Sequence, residues 1–329
     1  MKIAILGTGS WGTALAQVLV DSDQDVIMWG IDEKQVDDIN NNHKNSAFFD
    51  CGISEKIKAS TKLEDIKDAN IILLAVPSIA IESVLKSASA IIEEPVYVIN
   101  VAKGFHPITH ERLSVYIQNN FPKDKLKAVI SLIGPSHAEE VIERKLTVVN
   151  AVSEDDEAAR AIQELFANDY FRVYRNNDVI GSEIGVALKN IMAIASGILN
   201  GIGQGDNARA ALITRGLAEM TRFGVALGGK KETFLGLDGV GDMIVTCTSI
   251  HSRNYNAGLI IGKNDSAETF MKENTKTVEG IFACEIVYKE AKKLGIEMPI
   301  TNEVYEILFE NKKPSVAIND LMKRELKAE

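Results

Sequence analysis

The sequence contains few cysteines and histidines, and neither type is grouped. Three cysteines (Cys51, Cys247 and Cys284) lie far apart in the chain, and the five histidines are scattered. Metal-binding cysteines and histidines come in closely spaced sets, and the disulfide frameworks of secreted proteins use even numbers of cysteines. The sequence therefore indicates no metal site and no redox pair, and it predicts a protein of a reducing compartment.

Basic residues are scarce relative to acidic ones. The 329-residue chain has 36 lysines and arginines against 46 aspartates and glutamates, which gives a formal net charge of -10. A protein that binds nucleic acid needs a basic stripe to neutralise the phosphate backbone. The composition therefore excludes a nucleic-acid partner. Any anionic ligand must be held by a few locally placed cations.

The chain also lacks a long apolar run. No stretch approaches the roughly 18 apolar residues that a bilayer-spanning helix needs. The apolar start Lys2–Leu6 is too short for a signal peptide, and Gly7 and Gly9 interrupt it. We therefore expect a cytoplasmic protein that is not an integral membrane protein. The length suits about two domains, and an apolar content of 46% suits ordinary folded cores.

The two halves of the chain differ in their patterns. Residues 1–177 alternate β-rich runs with helical segments, which predicts a parallel doubly wound sheet. Residues 178–329 have helical spacing and are expected to form an all-α domain. The expected strands are Lys2–Leu6, Asp25–Trp29, Ile71–Val76, Val96–Ala102 and Ala128–Ile133. The expected helices include Ile79–Ile92, Thr109–Asn120, Asn207–Leu227, Ile281–Leu294 and Glu303–Glu310.

A glycine motif follows the first expected strand. Gly7-Thr8-Gly9-Ser10-Trp11-Gly12 stands between that strand and a helical stretch, which is the arrangement of dinucleotide-binding proteins. The first glycine of such a motif permits a tight turn, the second lets the backbone approach a pyrophosphate, and the third allows close packing of helix and strand. The helix N-terminus adds free N–H groups and a positive dipole end. We predict a dinucleotide site here rather than a plain surface turn.

Two later strands also end in candidate ligand residues. In doubly wound sheets, ligands bind at the carboxyl ends of the strands. Lys103-Gly104 follows the fourth expected strand, and Gly134-Pro135-Ser136 follows the fifth. A lysine at this edge lies where a substrate phosphate or carbonyl would sit.

Lys189 and Asp242 are the candidate acid and base of the second half. Lys189 lies in a helical segment that carries almost no charge as far as Gly201. It is either a solvated surface lysine or a partly buried one, and burial lowers the pKa of a lysine enough for general acid–base work. Asp242 shares a helix face with Thr246, four residues on, and it is either a helix cap or a site residue.

Ser252-Arg253-Asn254 is the candidate anion site. The guanidinium fork of Arg253 suits a phosphate, and its two neighbours add hydrogen-bonding groups. In isolation, the same arginine would be interpreted as an ordinary surface residue.

Taken together, these motifs resemble the NAD(P)-dependent glycerol-3-phosphate dehydrogenases of bacterial type, over nearly the whole chain. The matching runs of the first half are the glycine motif with Thr13-Ala14-Leu15-Ala16, Val76-Pro77-Ser78, Lys103-Gly104 and Gly134-Pro135-Ser136-His137-Ala138-Glu139-Glu140-Val141. Those of the second half are Ala187-Leu188-Lys189-Asn190, the run from Asn207 to Met220, Gly239-Val240-Gly241-Asp242, Thr246-Cys247-Thr248-Ser249, Ser252-Arg253-Asn254 and Val278-Glu279-Gly280. The resemblance implies a Rossmann-type domain followed by an all-α domain.

The resemblance also implies roles for single residues. Lys189 matches the proton acceptor and donor at the substrate C2 oxygen. The substrate-binding positions fall on Lys103, Gly134, Ser136, Asp242, Ser252, Arg253 and Asn254. The cofactor-binding positions fall on Gly7, Gly9, Ser10, Trp11, Gly12, Lys103, Ala138, Arg253 and Glu279. The implied reaction interconverts dihydroxyacetone phosphate and sn-glycerol 3-phosphate with NADH or NADPH, and in bacteria it feeds phospholipid synthesis.

The chain departs from the family pattern in two segments. Ile31 stands where the family often has a basic residue for a 2′-phosphate, and Asp32 has the spacing of an acid that binds a ribose hydroxyl, although it is equally interpretable as a turn residue. Lys34 offers an alternative phosphate contact. We expect NADH to be used at least as well as NADPH. The segment His43–Cys51 lacks the usual leucine-proline pair, which predicts a different loop with unchanged chemistry.

Two other interpretations remain open from the sequence. A dehydrogenase of a β-hydroxy acid or of a sugar-acid phosphate would share the two-domain plan and the helix lysine. A non-catalytic nucleotide sensor would be expected to lose Lys189 or Asp242, and both are present. We also expect a homodimer, because helical second domains often supply such interfaces.

Overall fold

A computed structural model describes residues 1–275, 277–326 and 328. The chain divides into two compact units, Met1–Val179 and Ile180–Glu329. The first unit is built on one β-sheet, and the second is built on helices.

The sheet of the first unit has eight strands. They are β1 (Lys2–Leu6), β2 (Asp25–Trp29), β3 (Lys58–Ser60), β4 (Ile71–Leu74), β5 (Val96–Asn100), β6 (Leu126–Ile133), β7 (Thr147–Val152) and β8 (Phe171–Asn176). Their order is β3-β2-β1-β4-β5-β6-β7-β8. Strands β1 to β6 are parallel, β7 is antiparallel to β6, and β8 is parallel to β7. The predicted doubly wound fold is confirmed, with one antiparallel pairing added.

Several strand boundaries differ from the sequence expectation. Strands β4 and β5 end at Leu74 and Asn100, two residues early, because the chain turns there into loops at the carboxyl edge. Strands β3, β7 and β8 are absent from the sequence prediction. Strand β3 has only three residues, and β8 alternates buried and exposed side chains. Short or half-exposed strands leave a weak hydrophobic signal.

Both faces of the sheet are buried. Ile3 and Ile5 of β1 join the core on one face, while Ala4 and Leu6 join the core on the other. This alternation follows from the two-residue period of a strand. The first face packs against α1 (Ser10–Asp21), α5 (Ala138–Ile142) and α6 (Asp156–Phe166), and the second against α3 (Ile81–Ile91) and α4 (Leu113–Asn120). A short helix, α2 (Glu33–Asp37), follows β2.

The described residues of the second unit form helices joined by loops and no strand, as the sequence predicts. Its α-helices are α7 (Val179–Gly201), α8 (Asp206–Ala226), α9 (Lys231–Phe234), α10 (Asp242–Thr248), α11 (Arg253–Asn264), α12 (Glu268–Glu273), α13 (Glu279–Leu294), α14 (Pro299–Phe309) and α15 (Pro314–Met322), and a π-helical turn, Leu237–Gly241, precedes α10. Helix α7 is long and apolar enough to cross a membrane, but 94% of its apolar segment is buried inside the protein. The expectation that no segment approaches such a length is wrong for α7, and its burial is that of a core helix.

Helices α7 and α11 meet backbone to backbone. A Cβ on Gly197 of α7 would lie 2.0 Å from the carbonyl oxygen of Tyr255, and a Cβ on Gly258 of α11 would lie 2.0 Å from that of Ile194. Only glycine fits such a close approach of two helices. The contact fixes the start of α11 relative to the middle of α7.

Candidate active site

The glycine motif forms the turn between β1 and α1. Gly7 has a φ of 122°, and a Cβ there would lie 2.5 Å from the carbonyl oxygen of Ala75. A Cβ on Gly12 would lie 2.4 Å from the carbonyl oxygen of Gly7. By contrast, nothing lies within 4 Å of a Cβ built on Gly9, which caps the N-terminus of α1. The turn is therefore tight on the protein side and open above the helix end.

Asn45 braces this turn, and no pattern in the sequence predicts its role. Its buried side-chain amide donates hydrogen bonds to the carbonyl oxygen of Thr8 and to Oγ1 of Thr13, both at 2.8 Å. The Thr13 hydroxyl in turn donates to the carbonyl oxygen of Gly9 at 3.0 Å. The segment His43–Cys51, which departs from the family pattern, thus contributes to the shape of the turn. A lone asparagine in a loop has no periodicity by which to find it.

The other expected cofactor residues lie at the starts of helices. Ser10 and Trp11 open α1, Ala138 opens α5, and Glu279 opens α13. The indole of Trp11 packs partly against the core of the first unit. First turns of helices present unpaired backbone N–H groups.

The segment after β2 is an exposed helix cap. Oδ1 of Asp32 accepts hydrogen bonds from the backbone N–H groups of Lys34 at 2.9 Å and Gln35 at 3.4 Å, at the start of α2. Ile31 is 86% exposed. A Cβ on Gly30 would lie 2.4 Å from Oγ1 of Thr8 in the glycine turn. Asp32 therefore has a capping role, and this role engages one of its two carboxylate oxygens.

The residues after β5 and β6 also lie at the carboxyl edge of the sheet. Gly134 has a φ of 151°, and a Cβ there would lie 2.9 Å from the Cα of Val149. The Ser136 hydroxyl donates to the carbonyl oxygen of Gly134 at 3.1 Å. Lys103 is partly exposed, and within the described part of the chain its ammonium has no ion pair.

Lys189 and Asp242 form a buried ion pair in the second unit. The Lys189 ammonium lies 2.5 Å from Oδ1 of Asp242 and 3.0 Å from Oγ1 of Thr246. Lys189 is 1% exposed and Asp242 is fully buried. The burial expected from the uncharged helix is confirmed, and the interpretation of Lys189 as a surface lysine is excluded. Asp242 is the first residue of α10, after the cap position.

Among the described residues, one carboxylate oxygen of this ion pair has no hydrogen-bond partner. The Thr246 hydroxyl donates to the backbone carbonyl of Asp242 at 2.6 Å, so its oxygen is oriented to accept from Lys189. Oδ2 of Asp242 is buried without a hydrogen-bond partner among the described residues. Buried polar atoms rarely lack a partner. Burial raises the pKa of the neighbouring Cys247 thiol to about 12, which keeps that thiol protonated.

The Ser252-Arg253-Asn254 run starts α11. Oγ of Ser252 accepts from the backbone N–H of Tyr255 at 3.2 Å and caps the helix. Oδ1 of the buried Asn254 accepts from the backbone N–H of Gly280 at 2.9 Å, which ties α11 to the start of α13. The Arg253 side chain is exposed, and it has no carboxylate partner among the residues described. A helix N-terminus beside such an arginine suits an anion.

Comparison with known proteins agrees with this arrangement. Two family models match, the NAD-dependent glycerol-3-phosphate dehydrogenase N-terminus over residues 2–159 and the corresponding C-terminus over residues 178–319. A relative from Streptococcus uberis named glycerol-3-phosphate dehydrogenase, NAD(P)+, is 47% identical and covers 100% of this chain and 98% of its own. One of the same name from Listeria monocytogenes is 46% identical with the same coverage.

Solved structures give the same result. A glycerol-3-phosphate dehydrogenase from Coxiella burnetii matches with a TM-score of 0.88 at 36% identity, covering 98% of this chain and 99% of its own. A ketopantoate reductase from Ralstonia eutropha, at 16% identity and a TM-score of 0.60, shares only the fold. The chain belongs to the NAD-dependent glycerol-3-phosphate dehydrogenase family.

Proposed function

We propose that this protein is an NAD(P)-dependent sn-glycerol-3-phosphate dehydrogenase that interconverts dihydroxyacetone phosphate and sn-glycerol 3-phosphate. The observation that carries the proposal is the buried pair Lys189–Asp242 in a chain of this family. A buried lysine held by a carboxylate is a positioned proton source, as reduction of a ketone requires.

Lys189 acts on the C2 oxygen of the substrate. Reduction of the carbonyl at C2 would leave negative charge on that oxygen. The Lys189 ammonium stabilises the developing charge and transfers one proton to the oxygen, so the lysine ends as the neutral amine. In the reverse direction the amine takes the proton back. Asp242 keeps the ammonium charged and in place, and Thr246 orients it through the 3.0 Å contact.

Oδ2 of Asp242 is suited to a substrate hydroxyl. The oxygen is buried and lacks a partner among the described residues, and a hydroxyl of the triose would satisfy it. A ligand without that hydroxyl would leave a buried acceptor unpaired, which costs about 1–3 kcal/mol. This requirement favours dihydroxyacetone phosphate over a simple keto acid.

The substrate phosphate is assigned to Arg253 at the start of α11. Ser252 and Asn254 hold this helix end in shape through their hydrogen bonds. We assign Lys103, with Gly134 and Ser136, to the substrate as well. In a chain with a net charge of -10, cations without carboxylate partners are the groups available to an anion. Binding the remote phosphate orients C2 for reaction.

The glycine turn is assigned to the cofactor pyrophosphate. The open space above Gly9 and the N–H groups of α1 fit a phosphate, and Gly7 and Gly12 hold the turn that provides them. The other residues assigned to the cofactor are Ser10, Trp11, Lys103, Ala138, Arg253 and Glu279. The nicotinamide nucleotide then supplies hydride chemistry that no side chain of this protein can supply.

We further propose that NADH serves at least as well as NADPH. Asp32 places an acid next to the expected position of the adenosine ribose, and Ile31 brings no cation to a 2′-phosphate. One Asp32 oxygen caps α2, and the other is left to accept from a ribose hydroxyl. A 2′-phosphate there would meet a like charge.

The wider assignments rest on the family. We assign residues 1–177 to cofactor binding and residues 178–329 to substrate binding and proton transfer. We also propose a cytoplasmic homodimer that supplies sn-glycerol 3-phosphate for glycerophospholipid synthesis. Sedimentation of the purified protein tests the dimer.

Nicotinamide absorbance with dihydroxyacetone phosphate, run in parallel with NADH and NADPH, tests the activity. We expect rapid oxidation, with a kcat/KM for NADH at least equal to that for NADPH. A much higher value with NADPH contradicts the role given to Asp32. A β-hydroxy acid or a sugar-acid phosphate that is oxidised with a higher kcat/KM than sn-glycerol 3-phosphate would assign the protein to a different dehydrogenase class.

A further inference from the structure

The loop that carries Lys103 closes into a small hairpin after β5. Phe105 and Arg112 form an antiparallel bridge at its base. Inside it, the backbone N–H of His106 donates to the carbonyl oxygen of Glu111, and the N–H of His110 donates to that of His106, both at 2.9 Å. This hairpin explains why α4 starts at Leu113 rather than at the predicted residue 109. Lys103 is joined to the hairpin through Gly104, whose φ is 103°.

The His106 ring is the internal anchor of the hairpin. It is 2% exposed and stacks flat on the Tyr116 ring of α4, with 3.8 Å between centroids and 6° between planes. Its Nδ1 accepts a hydrogen bond from the backbone N–H of Thr109 at 3.2 Å, and the Thr109 hydroxyl lies at the same distance from it. A backbone N–H can only donate, so Nδ1 must carry a lone pair, and the ring is neutral with its proton on Nε2.

Both acidic and basic side chains lie around the His106 ring. Nε2 lies 4.0 Å from Oε2 of Glu82 on α3, and Glu111 and His110 flank the ring from the loop itself. Burial lowers the pKa of His106 below its ordinary 6.5, against the opposing pull of the two glutamates. The burial of Tyr116 likewise raises the pKa of its phenol, so the stacked partner stays neutral.

We propose that His106 is a positioning residue for Lys103, and that its neutral ring holds the loop in the form that binds the anionic ligands. The proposal rests on the proposed function, which gives Lys103 to substrate and cofactor. Protonation puts a second N–H on Nδ1, directed at the Thr109 N–H and hydroxyl. The hydroxyl can turn to accept the new proton, but the backbone N–H cannot, so the backbone hydrogen bond is lost, the turn opens, and Lys103 loses its fixed backbone.

The direction of the pH effect follows from the buried neutral ring. Because folding disfavours the charged form, the unfolded chain binds the proton more readily than the folded chain. The contribution of His106 to stability is therefore complete above pH 6.5 and is lost as the pH falls through the lower folded pKa. The binding of dihydroxyacetone phosphate should weaken at the acid end of this range, as the pH approaches the folded pKa, because only the folded protein with a protonated His106 has the open loop.

Two variants separate the acceptor from the ring. In His106→Asn the side-chain oxygen takes the place of Nδ1 and accepts from Thr109 without titrating. In His106→Phe the stacking on Tyr116 remains, but the acceptor is lost. Without this acceptor, Lys103 is no longer held in position to contact the substrate. We therefore expect the KM for dihydroxyacetone phosphate to rise about tenfold in His106→Phe, with kcat nearly unchanged. His110→Asn, in the exposed histidine of the same loop, is the matched control.

The deciding measurement is kcat/KM for dihydroxyacetone phosphate from pH 5.5 to 8 in the purified full-length protein. The phosphate of the substrate titrates equally in every variant, so the ratio of wild type to His106→Asn isolates the histidine. We expect this ratio to fall as the pH drops toward the folded pKa of His106, which lies below 6.5, and the ratio of wild type to His110→Asn to change far less. The acid loss of thermal stability should also shrink in His106→Asn.

The outcomes separate the two proposals. A wild-type protein that does not reduce dihydroxyacetone phosphate at pH 7.5 contradicts the proposed function and this inference with it. A wild-type protein that does reduce it, with a constant wild type to His106→Asn ratio or an unchanged KM in His106→Phe, contradicts only the role of His106. A change in thermal stability without any change in KM assigns His106 to folding alone and overturns the positioning role.

Discussion

The Lys189 ammonium and Oδ1 of Asp242 lie 2.5 Å apart, and both side chains are almost wholly removed from water. A buried pair of this kind contributes little net stability, but removing one partner leaves an uncompensated charge that costs about 3–5 kcal/mol. Apolar residues of similar volume at these two positions would not carry this cost. We therefore attribute the pair to the proposed proton transfer at the lysine rather than to stability.

Replacing Lys189 separates chemistry from cofactor binding. In Lys189→Ala the proton source is gone, so kcat for dihydroxyacetone phosphate should fall by about 10²–10⁴-fold. NADH binding, measured by fluorescence titration, should persist because the glycine turn lies in the first unit. Lys293→Ala, an exposed lysine of α13, is the control and should leave kcat unchanged. Substantial turnover in Lys189→Ala would mean that another group moves the proton.

Lys189→Ala should also destabilise the protein through its effect on Asp242. Lys189→Ala leaves the Asp242 carboxylate buried and unpaired, whereas the double variant Lys189→Ala with Asp242→Asn removes both charges. We expect the double variant to recover part of the lost free energy of unfolding while remaining inactive. Equal stability of single and double variants in urea unfolding would contradict the ion pair.

Thr246 should tune the lysine without being required for folding. Thr246→Val keeps the shape but removes the hydroxyl that contacts Lys189 at 3.0 Å and the Asp242 carbonyl at 2.6 Å. Losing one hydrogen bond to a charged group predicts a kcat about tenfold lower. Thr246→Ser keeps the hydroxyl and should retain most of the activity. A lower kcat in Ser than in Val would argue for a packing role of the methyl group.

The sequence predicts the parts of the fold that have a strong local period. The glycine motif and the long helices α7 and α8 combine fixed spacing with sustained hydrophobic patterns. Strands β3 and β8 escape prediction because the first is short and the second is half-exposed. The predicted start of α4 is too early because the hairpin around His106 depends on contacts with α3 and α4, which no local pattern records.

The candidate site likewise contains some residues that sequence patterns single out and others that they do not. Lys189 can be singled out because Glu183 is the only other charged residue of α7, and its burial follows from that pattern. The pairing with Asp242 needs the fold, since the two residues are far apart in the chain and α10 must be brought to α7. Asn45 has no signal at all, because its role is two hydrogen bonds to a turn more than 30 residues away.

Glu219 predicts a pH dependence of stability. Its buried carboxylate accepts from the backbone N–H groups of Ile300 at 2.6 Å and Thr301 at 3.2 Å, at the start of α14. Burial outweighs these bonds and raises the pKa of Glu219 to about 7. Because the folded state binds the proton more tightly than the unfolded state, stability should fall as the pH rises from about 4.5 to about 7, by up to about 1.4 kcal/mol per pH unit.

Glu219→Gln mimics the protonated side chain and should remove this part of the slope. Urea unfolding at several pH values between 5 and 8 measures it. Glu273→Gln, at the exposed end of α12, is the control and should keep the wild-type slope. If the slopes of wild type and Glu219→Gln coincide, Glu219 is ionised throughout this range and its hydrogen bonds outweigh its burial.

Gly9 and Gly205 make a matched pair that tests the cofactor site. Each caps the N-terminus of a long helix, with φ of -72° and -87°, and at neither residue would an added Cβ have any atom within 4 Å. Alanine fits both backbones but is a poorer N-cap residue than glycine, so each Gly→Ala change should lower stability slightly, by less than about 1 kcal/mol and by a similar amount at the two sites. A ligand is proposed at the first site and none at the second.

The methyl group of Gly9→Ala would occupy the space assigned to the pyrophosphate, where only glycine allows the backbone to come close. We expect its Kd for NADH to rise at least about tenfold, a loss of about 1.4 kcal/mol, while Gly205→Ala binds NADH like the wild type. Fluorescence titration gives the Kd values, and thermal unfolding without ligand gives the stabilities. Normal NADH binding by a folded Gly9→Ala protein would place the pyrophosphate elsewhere. Unfolding of Gly9→Ala alone would instead mean that the space above α1 is closed by the protein itself.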